Sequence, residues 1–376
     1  MLARDRKINK GVKLLSALLA LTPLLIFAFL KDYRCYFDTR VDMSFYLSAA
    51  RDFLSMKNPY SGSHPSNYGP LFPLLISPIA LLPVCLRAYV YSLLNLLIII
   101  SLFYKTLSKH RYSKLDRILL AILLAVNPLI VYGGFILAQL DDLLLATIIT
   151  VATALYILGK RRVSLLIYSL SLSIKPITAP IILSILILER YIGDVLISLS
   201  VIVAPNLVAL YLWGLDFVKN AYLFHEERIE GFSLAGVLNS VGIHIPSLAY
   251  YLLWLFSGII IPIYFKNKII SSQEKSLSTV RVSFFTFLTS YIFLPVLFGE
   301  YFLEVVDPLL LLSIVTGDMF TLVVVVILMF ASRLEWSLVA LYQSKELILA
   351  DRLALLSMLI TSAALSYHST KRVLRC

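Results

Sequence analysis

Long apolar runs separated by short polar gaps recur along the whole chain. The runs are about as long as a bilayer-crossing helix, or shorter where two short helices follow one another, so they predict transmembrane helices. Twelve such spans are predicted, at 14–30, 87–104, 118–136, 143–158, 163–174, 177–188, 195–213, 248–265, 280–298, 308–316, 319–332 and 351–366. A single long span over 303–332 is the alternative to the tenth and eleventh spans.

One long half-polar stretch, residues 31–85, interrupts this pattern after the first span. Five apolar residues recur in it at helical spacing: Val41, Phe45, Ala49, Phe53 and Met56. This spacing predicts an amphipathic helix over 41–56 whose apolar stripe lies on the bilayer or on the bundle. The helix should end at Asn58, because the residue before a proline avoids helical geometry.

Composition excludes a soluble protein. Of 376 residues, 60% are hydrophobic and only 15% are charged, and the mean hydropathy is +0.88. The prediction is one integral-membrane domain over 1–376, an all-α polytopic bundle of about 11–12 spans in the cell membrane. The three cysteines show no metal-ligand spacing, and no cofactor is expected.

The net charge of +11 does not indicate nucleic acid, because Lys and Arg fall mostly in the short gaps between spans. Such gaps face the cytoplasm under the positive-inside rule. We therefore expect residues 105–117, 159–162 and 266–278 inside, together with both termini. Residues 31–85 and 214–247 should then lie outside.

Several polar residues collect on the predicted outer side, at the ends of different spans. They are Asp38, Asp42, Gln139, Asp141, Asp142 and Lys175. Ionisable groups at membrane depth are costly, which makes them functional candidates. Simpler roles remain open: Asp141 and Asp142 could complement a helix dipole, Lys175 could snorkel to the surface, and Asp42 could be a first-turn acid on a solvated helix.

Four stretches carry a resemblance to a known superfamily. They are VDMSFYLSAARDFLSMKNPY, YGPLFPLLISPIALLP, NPLIVYGGFILAQLDDLLLATIITVATALYILGKR and SLSLSIKPITAPIILSILIL. In this order they resemble the GT-C integral-membrane glycosyltransferases, especially the polyprenyl-phosphate-mannose-dependent mannosyltransferases. These include the catalytic subunit of GPI mannosyltransferase I and its archaeal and bacterial relatives. The resemblance covers residues 38–190, the GT-C-like catalytic half, whereas residues 191–376 fit only as a hydrophobic pattern.

The resemblance implies a hexosyl, specifically mannosyl, transfer from a polyprenyl-phosphate sugar to a glycan or lipid acceptor, with inversion. Asp42 takes the place of the family's presumed base. The first acid of the family's D-x-D pattern falls on Arg40, which weakens any case for a metal held by that pair. Asp141 and Lys175 match the family's acid after span three and its lysine after span five.

Further residues are expected to line the substrate site. Lys175 would face the departing phosphate, and Lys219 or Arg228 in the second outer loop are further candidates for this role. Tyr60 and Tyr68 would shape the entrance on the lipid side.

Two other classes compete with the enzyme. A transporter or flippase would usually carry its polar residues at the bilayer midplane, within broken helices and paired repeats. Here these residues gather at one face, and the sequence shows no internal repeat. A non-catalytic subunit would be expected to lack the loop acid, whereas Asp42 is present.

Overall fold

The structure is a computed structural model of the 376-residue chain. It describes residues 11–16, 18, 19, 21, 41–62, 65–83, 86–108, 112–136, 139–189, 192–223, 229–270, 275–342 and 349–374. Asp38 and Arg228, two predicted site residues, lie outside the described residues.

The described residues of 41–83, which we call the roof, form three short helices. They are α1 Val41–Leu54, α2 Leu71–Ile76 and α3 Pro78–Leu81. A helix is confirmed over most of the predicted range 41–56, but of Phe45, Ala49 and Phe53 on the predicted stripe only Ala49 is buried. The face of α1 that packs on its neighbours contains Met43, Tyr46, Leu47 and Ala50.

The predicted place of Met56 on the apolar stripe is wrong. Met56 lies beyond the end of α1 with a positive φ of 56°, and it is 95% exposed. A left-handed residue takes the chain out of the helix, so its side chain no longer follows the helical stripe.

The first half of the bundle continues from the roof as a series of helices joined by short connections. They are α4 Arg87–Leu107, α5 Lys114–Ala125, a π-helix Ile130–Ile136, α6 Leu140–Ile157, α7 Arg161–Leu172, a 3₁₀ turn Pro176–Thr178 and α8 Ala179–Leu188.

The second half contains longer helices and one short parallel ladder. Its helices are α9 Ile192–Tyr222, α10 Leu234–Ser240, α11 Ser247–Ile270, α12 Lys275–Ser290, α13 Leu303–Thr316, α14 Met319–Tyr342 and α15 Leu349–Val373, with 3₁₀ turns at Tyr291–Phe293 and Gly299–Phe302. Strand β1, Glu230–Gly231, pairs with β2, Val296–Leu297, so that Glu230 lies opposite Val296.

The predicted fold class is confirmed: the described chain is an all-α bundle with membrane-crossing helices. Five described helices are long and apolar enough to cross a bilayer. They are Arg87–Leu107, Leu140–Ile157, Ile192–Tyr222, Ser247–Ile269 and Leu349–Arg372. The total of 11–12 spans and the sidedness of the chain stay predictions.

The alternative of one span over 303–332 is wrong. Helix α13 ends at Thr316, and Gly317 adopts a left-handed conformation with φ 66°. Glycine takes this conformation without a side-chain penalty, which is why it commonly terminates helices. Helix α14 then begins at Met319 and runs ten residues beyond the predicted end of the eleventh span.

Helix α6 lies at the centre of the bundle. It is apolar on nearly every face, and 78% of its apolar stretch is buried, against 11% for the peripheral α9. A helix that is apolar all round is stable only when neighbours surround it. Helices α4, α7 and α13 pack against α6, so the first turn of α6 is enclosed by the ends of several elements.

Candidate functional site

The first turn of α6 carries two adjacent acids that point into protein rather than into solvent. Asp141 and Asp142 are 3% and 1% exposed. Gln139 precedes the helix at its N-cap position but makes no capping hydrogen bond with its side chain. Complementing the helix dipole is therefore not the only role of these carboxylates, because buried charges require partners.

Lys175 supplies the partner. Its Nζ lies 3.0 Å from Asp141 Oδ2 and is in direct contact with Asp142 Oδ1. Its side chain is only 12% exposed, which argues against a lysine that snorkels to the surface. Burial alone would lower the pKa of Lys175, but Asp141 and Asp142 hold that pKa well above its usual value, so the side chain is a cation.

A third acid, Glu304 in the first turn of α13, completes what we call the lysine cluster: Lys175, Asp141, Asp142 and Glu304. Glu304 Oε1 lies 3.7 Å from Lys175 Nζ, and Tyr291 donates its hydroxyl to Glu304 Oε2 at 3.1 Å. The lysine Nζ also lies 4.3 Å from the centre of the Tyr301 ring, within range of a cation–π contact. One cation thus faces three carboxyl groups.

Sequence reasoning missed Glu304. It lies inside an apolar run, and an acid there is a recognisable signal because such residues are rare and commonly functional. The prediction instead started span ten at Asp307-Pro308, which left Glu304 as a flanking residue. The helix begins at Leu303, one turn earlier, so both acids fall within α13. Asp307 is buried and accepts a 2.6 Å hydrogen bond from Asn127 Nδ2.

Asp42 lies in the first turn of α1, as predicted, and its side chain is exposed. Gln139 Nε2 donates to Asp42 Oδ2 at 3.2 Å. One turn along α1, the Tyr46 hydroxyl donates to Asp141 Oδ1 at 2.5 Å and lies 3.5 Å from Gln139 Oε1. Burial, and then the charge of Asp141, hold the pKa of Tyr46 well above its usual range, so its hydroxyl remains a donor.

The roof is attached to the turn that carries Lys175. The backbone N–H of Gly69 donates to Ile174 O at 2.7 Å, and that of Leu71 donates to Ser173 O at 3.0 Å. A Cβ on Gly69 would lie 2.4 Å from Ser173 O, so only glycine permits this close approach. Among the predicted entrance residues, Tyr68 belongs to this region.

Aromatic rings join the roof to the site. The centres of the Tyr46 and Tyr68 rings are 5.9 Å apart, and Tyr68 lies 4.1 Å from the Phe72 ring. Tyr60, by contrast, is buried against α9, with its ring centre 5.3 Å from Trp213 and 5.1 Å from Phe217. The structure therefore brings Tyr68 to the lysine cluster and places Tyr60 in a separate aromatic group.

The site combines an exposed carboxylate with a buried support in which one lysine faces three acidic side chains. Within the described ranges, no group of three or more His, Cys, Asp or Glu side chains has the geometry to hold a metal ion. The Lys175 ammonium occupies the space between the three carboxyl groups. Chemically, this arrangement can present Asp42 as a proton acceptor beside polar groups able to bind hydroxyls.

A family model described as Glycosyltransferase family 87 matches residues 67–295, more than half of the chain. The matched stretch contains Gln139, Asp141, Asp142 and Lys175, whereas Asp42 precedes it. No curated protein and no solved structure matches the chain.

Proposed function

Because the chain belongs to glycosyltransferase family 87, we propose that it transfers a hexose, specifically mannose, from a polyprenyl-phosphate donor to a glycan or glycolipid acceptor. The reaction takes place at the outer membrane face, with both chain termini in the cytoplasm. Asp42 is the general base. The observation that supports this role is the exposed Asp42 carboxylate, held by Gln139 beside the lysine cluster.

The transfer step is a direct displacement. The acceptor hydroxyl gives its proton to the Asp42 carboxylate while its oxygen bonds to the anomeric carbon of the sugar. The bond between that carbon and the phosphate oxygen breaks, and polyprenyl phosphate leaves with the electron pair. Attack from the face opposite the leaving group inverts the anomeric configuration. A positioned base of this kind contributes about 10²–10⁴-fold to the rate.

Lys175 is proposed to neutralise the departing phosphate. Its ammonium already contacts Asp141 and Asp142, so phosphate binding requires exchange of one carboxyl contact. The contact to Glu304 is the longest of the three, at 3.7 Å, and is the one most readily exchanged. Cationic donors aimed at developing phosphate charge stabilise the transition state more than the ground state.

The side-chain contacts of the N-terminal segment support the proposed sidedness. Lys13 Nζ lies 2.6 Å from Asp116 Oδ1, which joins the basic N-terminus to the first basic gap. Both segments are expected in the cytoplasm under the positive-inside rule. Helix α5 and the π-helix after it lead from this gap to Gln139, which bonds Asp42, so the site lies at the far end of these elements from the contact between Lys13 and Asp116.

The deciding experiment compares Asp42→Asn with the wild-type protein in membranes supplied with labelled polyprenyl-phosphate mannose or glucose. Asparagine keeps the size of the side chain but cannot accept the proton, so transfer should fall by about 10²–10⁴-fold while donor binding is retained. The matched control is Asp52→Asn, which changes another carboxylate on α1 and should stay near the wild-type rate. Wild-type transfer by Asp42→Asn would refute the proposed base.

A further inference from the structure

Two side-chain bridges attach α1 to the start of α6. The first joins Gln139 Nε2 to Asp42 Oδ2 at 3.2 Å. The second joins the Tyr46 hydroxyl to Asp141 Oδ1 at 2.5 Å, and the same hydroxyl lies 3.5 Å from Gln139 Oε1. On α1 the bridged residues are four apart, which places them on one face about 5–6 Å from each other. On α6 they are two residues apart and lie at the helix N-terminus.

A helix held at one point can pivot, whereas a helix held at two separated points cannot. This difference matters for Asp42, which lies in the first turn of α1. The first backbone N–H groups of a helix have no intrahelical partners, so the position of this end depends on contacts from outside the helix. The bridge from Gln139 alone fixes a distance to Asp42. The bridge from Tyr46 fixes the direction in which that end of α1 points.

The anchor of the second bridge is itself immobilised. Asp141 uses Oδ1 for Tyr46 and Oδ2 for Lys175 Nζ, which is 3.0 Å away. The Tyr46 ring lies 5.6 Å from the Phe72 ring in an edge-on arrangement. The ring is therefore held by packing, while the hydroxyl alone makes the contact with Asp141.

We propose that Tyr46 is a positioning residue for sugar transfer: through its hydroxyl bond to Asp141 it holds α1 so that Asp42 meets the acceptor hydroxyl. This inference rests on the proposed function. Tyr46 does not touch the reacting atoms in this scheme and acts only through Asp42. Small displacements of a catalytic group, of about 1 Å, can cost up to about 10²-fold in rate.

The test is Tyr46→Phe, which removes the hydroxyl and keeps the packed ring. The turnover number kcat should fall by about 10–100-fold, with the KM for the labelled polyprenyl-phosphate sugar unchanged within about twofold. Rates are expressed per donor-binding site, so that loss of folded protein does not count as loss of turnover. The matched control is Tyr168→Phe, which removes another buried hydroxyl, one bonded to Thr153 on α6 at 2.6 Å, and should leave kcat unchanged.

The double variant that combines Tyr46→Phe with Asp42→Asn distinguishes a positioning role of Tyr46 from other roles. If Tyr46 acts only through Asp42, Tyr46→Phe should change the residual rate of Asp42→Asn by less than about twofold, because coupled residues are not additive. Wild-type kcat for Tyr46→Phe, or the same loss in both backgrounds, would overturn the inference and leave Asp42 as the base. Full activity of Asp42→Asn would instead overturn the proposed function.

Discussion

Replacing Lys175 by methionine should destabilise the folded protein strongly. Methionine matches the length of the lysine stem but carries no charge, so Asp141 and Asp142 would remain buried without their cation. At an effective dielectric constant of about 20, a unit charge on Asp141, 3.0 Å from Lys175 Nζ, contributes about 5.5 kcal/mol. Desolvation of the ions offsets most of this attraction.

The net loss in the free energy of unfolding is set by the buried carboxylates that no longer have a cation as partner. Breaking a buried ion pair from one side typically costs about 3–5 kcal/mol, a large part of the about 5–15 kcal/mol that stabilises a folded protein. We expect a loss of that size for Lys175→Met. Adding Asp142→Asn removes one uncompensated carboxylate of the same shape, so the double variant should recover about half of the lost free energy of unfolding.

Denaturant titration in mixed micelles, followed by intrinsic fluorescence, measures these free energies. The control is Lys266→Met, which removes an exposed lysine from the last turns of α11 and should change stability by less than about 0.5 kcal/mol. Two results would refute the reasoning: equal stability of the Lys175 and Lys266 variants, or no recovery on adding Asp142→Asn. Either would mean that Lys175 does not compensate buried carboxylates.

Two further predictions concern the roof and the sidedness of the chain. Gly69→Ala should lower both thermal stability and transfer rate, because its Cβ would lie 2.4 Å from Ser173 O. The control is Gly193→Ala, whose Cβ would meet nothing within 4 Å and which should be neutral. Melting curves and initial rates are measured for both variants. In intact cells, a cysteine placed at Ser61 should react with an impermeant thiol reagent and one placed at Lys160 should not; equal labelling at both positions would contradict an outer site.

Local chemistry was enough to predict much of the fold. The break at Lys160 follows from a polar gap between apolar runs, and the position of Asp42 in the first turn of α1 follows from the helical spacing that starts at Val41. These features depend on residues close together in sequence. They could therefore be predicted from the periodicity of hydrophobic residues, the placement of charges and the residues that start or end helices.

The grouping of Gln139, Asp141, Asp142 and Lys175 could also be predicted in outline. Alternate spans end on the same side of a membrane, so residues after odd-numbered spans are expected on one face. The sequence could not predict which of these residues touch. Contacts such as Tyr46 with Asp141 depend on how far α1 is rotated and how closely it approaches α6.

Only the tertiary structure brought Glu304 to Lys175, 129 positions away in the chain, and moved Tyr60 from the predicted entrance to the aromatic group on α9. Pairings of this kind are set by the packing of helices α6, α7 and α13 around one another. The apolar faces that drive this packing are nearly uniform in composition, and many helix arrangements would bury them equally well. Spatial proximity of the charged groups then selects among these arrangements, because buried carboxylates are stable only where a cation or a donor reaches them.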